Sequence, residues 1–294
     1  MLRFNFFIIA IISLIFVTAC NKNEEPNEEP TGNEPNLIIK IKVDPNQERL
    51  GNIGSPAAIP AGNAGQNPSF NQISAHYLEF APNAFTPLGD GEILYQAPET
   101  TNGGTTAIDF DQSKIVIPGE VFLTIPLKDV QAGSYEWVRM SLSYQNYDVS
   151  LSFGGNPFSA TIASFVGFNT YISDYLIKNE LVAVNENKLQ GYFGFESIGG
   201  VVTGQTPEGA ITVPNPLFNS SPIPSGSCVV TGKYASPLVI TGNETEDIIV
   251  SMSLSTNKSF EWKDANGNGE WDVDTGSIEE VVDMGLRGLI PIIE

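Results

Sequence analysis

Between Tyr135 and Phe153 the side chains alternate in character with period two. Val138, Met140, Leu142 and Tyr144 take one parity, and Arg139, Ser141, Ser143 and Gln145 take the other. A helix would scatter these residues around its circumference. An extended strand sends them to opposite faces, one apolar and one polar. Gly133-Ser134-Tyr135 supplies a turn just before the run.

The same signature recurs along the chain. Ile39, Ile41 and Val43 alternate with Lys40 and Lys42, and Ile248, Val250, Met252 and Leu254 alternate with Ile249, Ser251, Ser253 and Ser255. Val121 to Ile125 reads as a further strand. Tyr77-Leu78-Glu79-Phe80 and Glu92-Ile93-Leu94-Tyr95 read as a pair joined by a loop containing Pro87, Gly89 and Gly91. Leu181 to Val184 and Gly191 to Phe195 are expected to pair across Asn185-Glu186-Asn187-Lys188. Short strands punctuated by Gly and Pro predict an all-β fold, an antiparallel β-sandwich of the general immunoglobulin or transthyretin kind. Two Gly/Pro-rich stretches, 51–68 and 199–226, read as long surface loops, the second as a possible subdivision of the body. One short helix is expected near 278–286. Ser277 and Glu280 have the capping-box spacing, and Ile278, Val281, Val282 and Leu286 recur at helical intervals.

The first 36 residues do not belong to that body. Arg3 is followed by the apolar run Phe6 to Val17, too short to span a bilayer, which takes about 20 apolar residues. A basic start, an apolar run and a small-residue exit describe a secretory signal. The exit, Val17-Thr18-Ala19-Cys20, resembles the lipobox of bacterial lipoproteins. The resemblance implies a signal peptide at 1–19, cleavage before Cys20 and acylation of Cys20, which anchors the chain to a lipid bilayer. One acyl chain holds only marginally, at about 0.8 kcal/mol per buried methylene, and lipoproteins of this kind carry two or three. Residues 20–36 contain five Glu and three Pro and, past the lipidated cysteine itself, no aliphatic or aromatic side chain, so a disordered acidic tether is expected. Acidic stretches in this position resemble the surface-export signals of some outer-membrane lipoproteins. The body is then 37–294.

Charge narrows the partners. The chain has 14 Lys and Arg against 34 Asp and Glu, a formal net charge of −20, and one more negative once Arg3 leaves with the leader. Nucleic acid and anionic lipid surfaces select basic proteins, so neither is an expected partner of the body. With Cys20 lipidated, Cys228 is left alone and no intramolecular disulfide can form. Its setting, Ser227-Cys228-Val229-Val230, reads as a strand start with a small buried side chain.

The strongest chemical pattern is Asp264-Ala265-Asn266-Gly267-Asn268-Gly269-Glu270-Trp271-Asp272. Oxygen-bearing side chains fall at the first, third, fifth and ninth positions, and glycine at the sixth. This resembles the calcium loop of EF-hand and dockerin-like proteins, in which alternate side chains of a curled loop point inward. The resemblance implies calcium held by Asp264, Asn266, Asn268, the Glu270 carbonyl and Asp272. Thr275 stands where an EF-hand has a bidentate glutamate, leaving Asp274, Glu279 or Glu280 to complete the shell. The alternative is a polar turn built on Asn-Gly pairs.

Other candidates carry less. His76, the single histidine, reads as a hydrogen-bonded strand residue. Asp109 and Asp111 are the nearest thing to a pair of hydrolytic carboxylates. Trp137, Trp262, Trp271, Tyr144 and Tyr147 supply either a sugar-stacking platform or, the commoner role, the core and rim of a sandwich. His76-Tyr77-Leu78, Gly133-Ser134-Tyr135 and Gly191-Tyr192-Phe193-Gly194-Phe195 occur in an order that resembles the MbnP-like family of bacterial lipoproteins. That resemblance implies a β-sandwich body. The family is linked to copper handling, but one histidine and one free cysteine are a thin ligand supply, so only the architecture carries over. Together these readings point to an outer-membrane lipoprotein, exposed at the cell surface in one version. It would act as a ligand-, glycan- or envelope-protein-binding module, with calcium as its cofactor. A glycan hydrolase using paired carboxylates and a structural subunit of an envelope assembly are the alternatives. No residue stands out as catalytic.

Overall fold

A computed structural model describes residues 34–206, 221–224 and 226–294. The signal peptide, Cys20 and nearly all of the tether lie outside the described residues, as does much of the 199–226 stretch. In chain order the strands begin with β1 (Asn36–Asp44), β2 (Asn63–Gln66), β3 (Ser69–Ala81), β4 (Glu92–Gln96), β5 (Glu99–Thr100), β6 (Ala107–Asp109) and β7 (Ile115–Val116). Next come β8 (Val121–Pro126), β9 (Gly133–Phe153), β10 (Asn156–Phe165), β11 (Asn169–Leu176), β12 (Leu181–Leu189), β13 (Tyr192–Ser197) and β14 (Gly200–Gln205). The last are β15 (Cys228–Ile240), β16 (Ile248–Ser255), β17 (Phe260–Lys263), β18 (Val273–Asp274), β19 (Ser277–Ile278), β20 (Val281–Met284) and β21 (Leu289–Ile293). Among the described residues there is no α-helix, and the all-β, sandwich-like class expected from the alternation holds.

An eight-stranded sheet forms the centre. Its path is β14-β13-β10-β9-β3-β4, with β15 also on β9 and β7 on β3. A four-stranded sheet, β21-β16-β1-β8, packs over part of it. Leu37, Ile39, Ile41, Val250, Met252, Leu254 and Phe122 meet Leu78, Phe80, Val138, Met140 and Leu142 in the principal core. A second four-stranded sheet, β12-β11-β6-β5, closes an aromatic cluster of Tyr144, Phe165, Tyr175 and Tyr192. A three-stranded sheet, β2-β17-β20, closes a third cluster of Tyr147, Ile162, Phe260, Trp262 and Trp271. Glu34–Glu294 forms one compact unit.

Strand β9 is therefore buried on both faces. Arg139, Ser141, Ser143 and Gln145, the polar parity, are as buried as the apolar one. Tyr77, Ser141 and Val229 lie in one cross-strand row, and Leu88 and Ile223 cover Tyr77 and Val229. The alternation gave the strand and its two faces. The cover on the polar face comes from loops distant in sequence.

Two local expectations are corrected. The helix near 278–286 does not form. Ser277-Ile278 pairs with Val273-Asp274, and Val281–Met284 pairs with Phe260–Trp262. The β-branched Ile278, Val281 and Val282 favour strands, and the capping partner Glu280 instead reaches Lys263. Second, 181–184 does not pair with 191–195. Residues 185–188 continue β12, which pairs with β11, and Asn185 (φ 56°) forms a bulge where a turn was expected. Gly191–Phe195 instead joins β10 and β14. Strands β1 and β16, whose pairing no local pattern indicates, run parallel in a body otherwise mostly antiparallel. The 51–68 stretch also contributes a strand, β2, against β17. The Tyr77–Phe80 and Glu92–Tyr95 pairing forms as expected.

Candidate functional site

The 264–272 loop hangs from the end of β9, where Ser152 N donates to Trp271 O at 2.8 Å. Gly267 and Gly269 take left-handed φ of 76° and 77°, which glycine reaches without a Cβ clash. Their curl turns backbone N–H groups onto Asp264. Gly267 and Asn268 donate to Oδ1 at 2.8 and 3.1 Å, and Gly269 to Oδ2 at 3.0 Å. Asn268 N donates to Asn266 Oδ1, and Glu270 N to Asn268 Oδ1. The Nδ2 groups of Asn266 and Asn268 converge on Asp272 Oδ2 at 2.6 and 2.9 Å. The Asn266 amide foremost, with Ser152 and Asn268 behind it, holds the Asp272 carboxyl below the usual carboxylate range against a smaller opposing effect of burial.

The five predicted ligand residues are thus gathered in one loop. Glu279, one of the suggested additions, is a brace: its carboxylate accepts from Ala265 N at 2.7 Å and Asp272 N at 3.0 Å. Asp274 accepts from Gly154 N, and Glu280 is the partner of Lys263. Among the described residues, no three His, Cys, Asp or Glu side chains form a metal-binding group. The donor set here is two carboxylates, two amides and a carbonyl. That is oxygen chemistry suited to calcium, one short of the six to eight oxygens it takes. Each amide would have to turn about its terminal torsion to present Oδ1 in place of Nδ2.

The other candidates fall apart from this loop. His76 is fully buried on β3, with Nε2 3.0 Å from Glu99 Oε1 and Nδ1 without a partner. Burial lowers its pKa, and Glu99 opposes that. Asp109 ends β6, while Asp111 sits in a 3₁₀ turn and accepts from Ser173 Oγ at 2.8 Å. Of the five aromatics, Tyr144, Tyr147, Trp262 and Trp271 are core residues, which removes the flat stacking platform.

A cleft of about 360 Å³ opens between the central sheet and β20. On the sheet side the floor is set by register. Gln145 lies opposite Ser164, and Ser164 opposite Phe193; Ile162 lies opposite Phe195. The other wall is Phe260, Trp271, Val281 and Met284. Trp271 packs edge-on to Phe260 at 4.9 Å and Phe195 at 6.1 Å between ring centroids. Gln145 Nε2 and Tyr147 Oη both donate to the Met284 carbonyl, at 2.7 and 2.8 Å, and so hold β20 at its distance from the sheet. Cys228 also lines the cleft, and burial pushes its thiol up to about 12, so it presents an uncharged S–H. No local motif could have revealed this cavity, because its lining spans Gln145 to Gly285.

No family model, curated protein or solved structure matches this chain.

Proposed function

We propose that this chain is a lipoprotein of the bacterial envelope, anchored through an acylated Cys20, whose β body binds a small apolar ligand in the cleft beside β20. The cleft carries the binding half of this reading. It is concave, largely apolar, walled by aromatic rings and within the roughly 300–1,000 Å³ range of small-molecule sites. Val17-Thr18-Ala19-Cys20 carries the anchoring half. Binding is favoured over hydrolysis because the cleft lining holds one carboxylate, Asp283, where the usual glycosidase route needs two.

Titration of the full mature chain with N-phenyl-1-naphthylamine tests the binding half. Fluorescence enhancement that saturates, and is lost in Phe193→Arg with little change in melting temperature, is the expected result. Enhancement unaffected by Phe193→Arg would place the dye elsewhere and sink the cleft as the site. Intact mass of protein purified from membranes tests the anchor: an acylated Cys20 at the amino terminus is expected, and a Met1 start or an unmodified Cys20 sulfur defeats it.

The 264–272 loop supports calcium as a stiffening ion for the same body. Isothermal titration should give one site per chain, abolished by Asp264→Ala, because that carboxylate organises three backbone N–H groups of the loop. Absence of calcium-dependent heat in the unsubstituted protein would remove the ion from the account.

A further inference from the structure

We infer that the cleft selects an uncharged, ring-bearing ligand that carries an N–H or O–H donor, and that Gln145 Oε1 is the acceptor reading it. This rests on the cleft being a ligand site, as proposed above.

Gln145 is 1% exposed and lines the cleft. Its amide is half satisfied: Nε2 donates to Met284 O, while Oε1 has no partner. Because Nε2 is committed to β20, the amide cannot flip to exchange the two ends without losing that bond. A buried carbonyl-type oxygen without a donor has lost its water and gained nothing in exchange. A ligand N–H or O–H that reaches it supplies the missing partner, and an isosteric ligand without the proton does not. Among the described residues, the other fully buried polar side-chain atom of the lining without a partner is Thr206 Oγ1. It is a hydroxyl that rotates to suit donor or acceptor, so it does not discriminate.

Charge follows from the same lining. Asp283 is its one ionisable acid or base apart from the Cys228 thiol, and Asp283 is ion-paired with Arg287 while accepting from Gly285 N. An anion would meet that carboxylate in a chain of net charge −20, and a cation would find the carboxylate already taken. Aromatic walls favour rings that meet them edge-on or offset. The class that satisfies all three conditions is an aromatic amine, a phenol or an aromatic alcohol.

The test compares N-phenyl-1-naphthylamine with 1-phenoxynaphthalene, in which an ether oxygen replaces the N–H, the second read by displacement of the first from the full mature chain. The amine should bind about three- to tenfold more tightly, the range of one net hydrogen bond. Gln145→Met should erase that preference. Tyr147→Phe, which removes the other donor to Met284 O without touching the acceptor, should preserve it and so controls for loosening of β20. Equal binding of the two compounds, or a preference that survives Gln145→Met, overturns the inference and leaves the cleft a ligand site whose occupant does not engage the Gln145 oxygen. If Gln145→Met does not fold, the preference of the unsubstituted protein decides. Failure of both compounds to bind defeats the site itself.

Discussion

Glu79→Leu is expected to cost about 3–5 kcal/mol, the range for removing one partner of a buried ion pair. Glu79 and Arg139 face each other across β3 and β9, with Arg139 Nη1 3.6 Å from Glu79 Oε1. Both are essentially inaccessible to solvent. Glu79 also organises the loop that follows β3. Its Oε2 accepts from Tyr77 Oη and Gly89 N, and its Oε1 from Gly91 N, all at 2.8 Å. Gly91 passes so close that a Cβ there would lie 2.3 Å from Glu79 Oε1. Arg139 Nε and Nη1 have no hydrogen-bond partner, so the carboxylate is what compensates the guanidinium. Burial lowers the Arg139 pKa and Glu79 opposes it. Leucine would leave that cation buried alone and two backbone N–H groups unbonded. Urea unfolding should show a lower midpoint with the slope unchanged, and the melting temperature should fall by roughly 10 °C. The double variant Glu79→Leu/Arg139→Met should recover part of the loss, because it removes the stranded charge. A single-variant cost below about 1 kcal/mol would mean the pair is not the electrostatic anchor of β3.

Phe165→Ala is expected to cost about 3–5 kcal/mol, the range for truncating a buried aromatic. Phe165 is fully buried on β10, and four rings surround it. Centroids of Phe110, Tyr144 and Tyr175 lie 5.0–5.1 Å away and that of Tyr192 at 5.7 Å. Phe110 and Tyr175 belong to the segment and strand that cover this face, so the ring joins the second four-stranded sheet to the central one. The alanine variant should therefore do more than lower the global midpoint. Amide exchange across Asn169–Leu176 should accelerate beyond what the global loss explains, since local opening of that sheet becomes easier. Phe165→Leu, which refills much of the volume, should lose less. Uniform acceleration over the whole chain would show that Phe165 supports the body generally and not the docking of this sheet.

Much of the fold could be read from local pattern. The alternation over Tyr135–Phe153, Leu37–Val43 and Ile248–Leu254 is a property of neighbouring residues, and the strands lie where it put them. The pairing of Tyr77–Phe80 with Glu92–Tyr95 was legible because a short turn-rich loop leaves an antiparallel partner close at hand. Expectation failed where two local readings competed. Ile278 to Leu286 has helical spacing and β-branched composition at once, and the contest was decided by an edge offered by Phe260–Trp262. Asn185 signals a turn, yet β11 supplies a partner long enough to absorb it as a bulge.

The candidate loop and the cleft divide along the same line. Asp264 to Asp272 is a contiguous motif whose turn chemistry is written in its Asn-Gly pairs, so its left-handed glycine turns followed from the sequence alone. The strands, their two-sided character and the acidic balance of the chain followed in the same way, because each depends on residues a few positions apart. Tertiary packing alone decided that the polar face of β9 is buried, that β1 and β16 run parallel, and that Gln145, Phe193, Phe260 and Met284 surround one cavity. Those outcomes depend on contacts between segments some fifty to over two hundred residues apart, and side-chain periodicity specifies a strand's faces but not which distant segment comes to cover them.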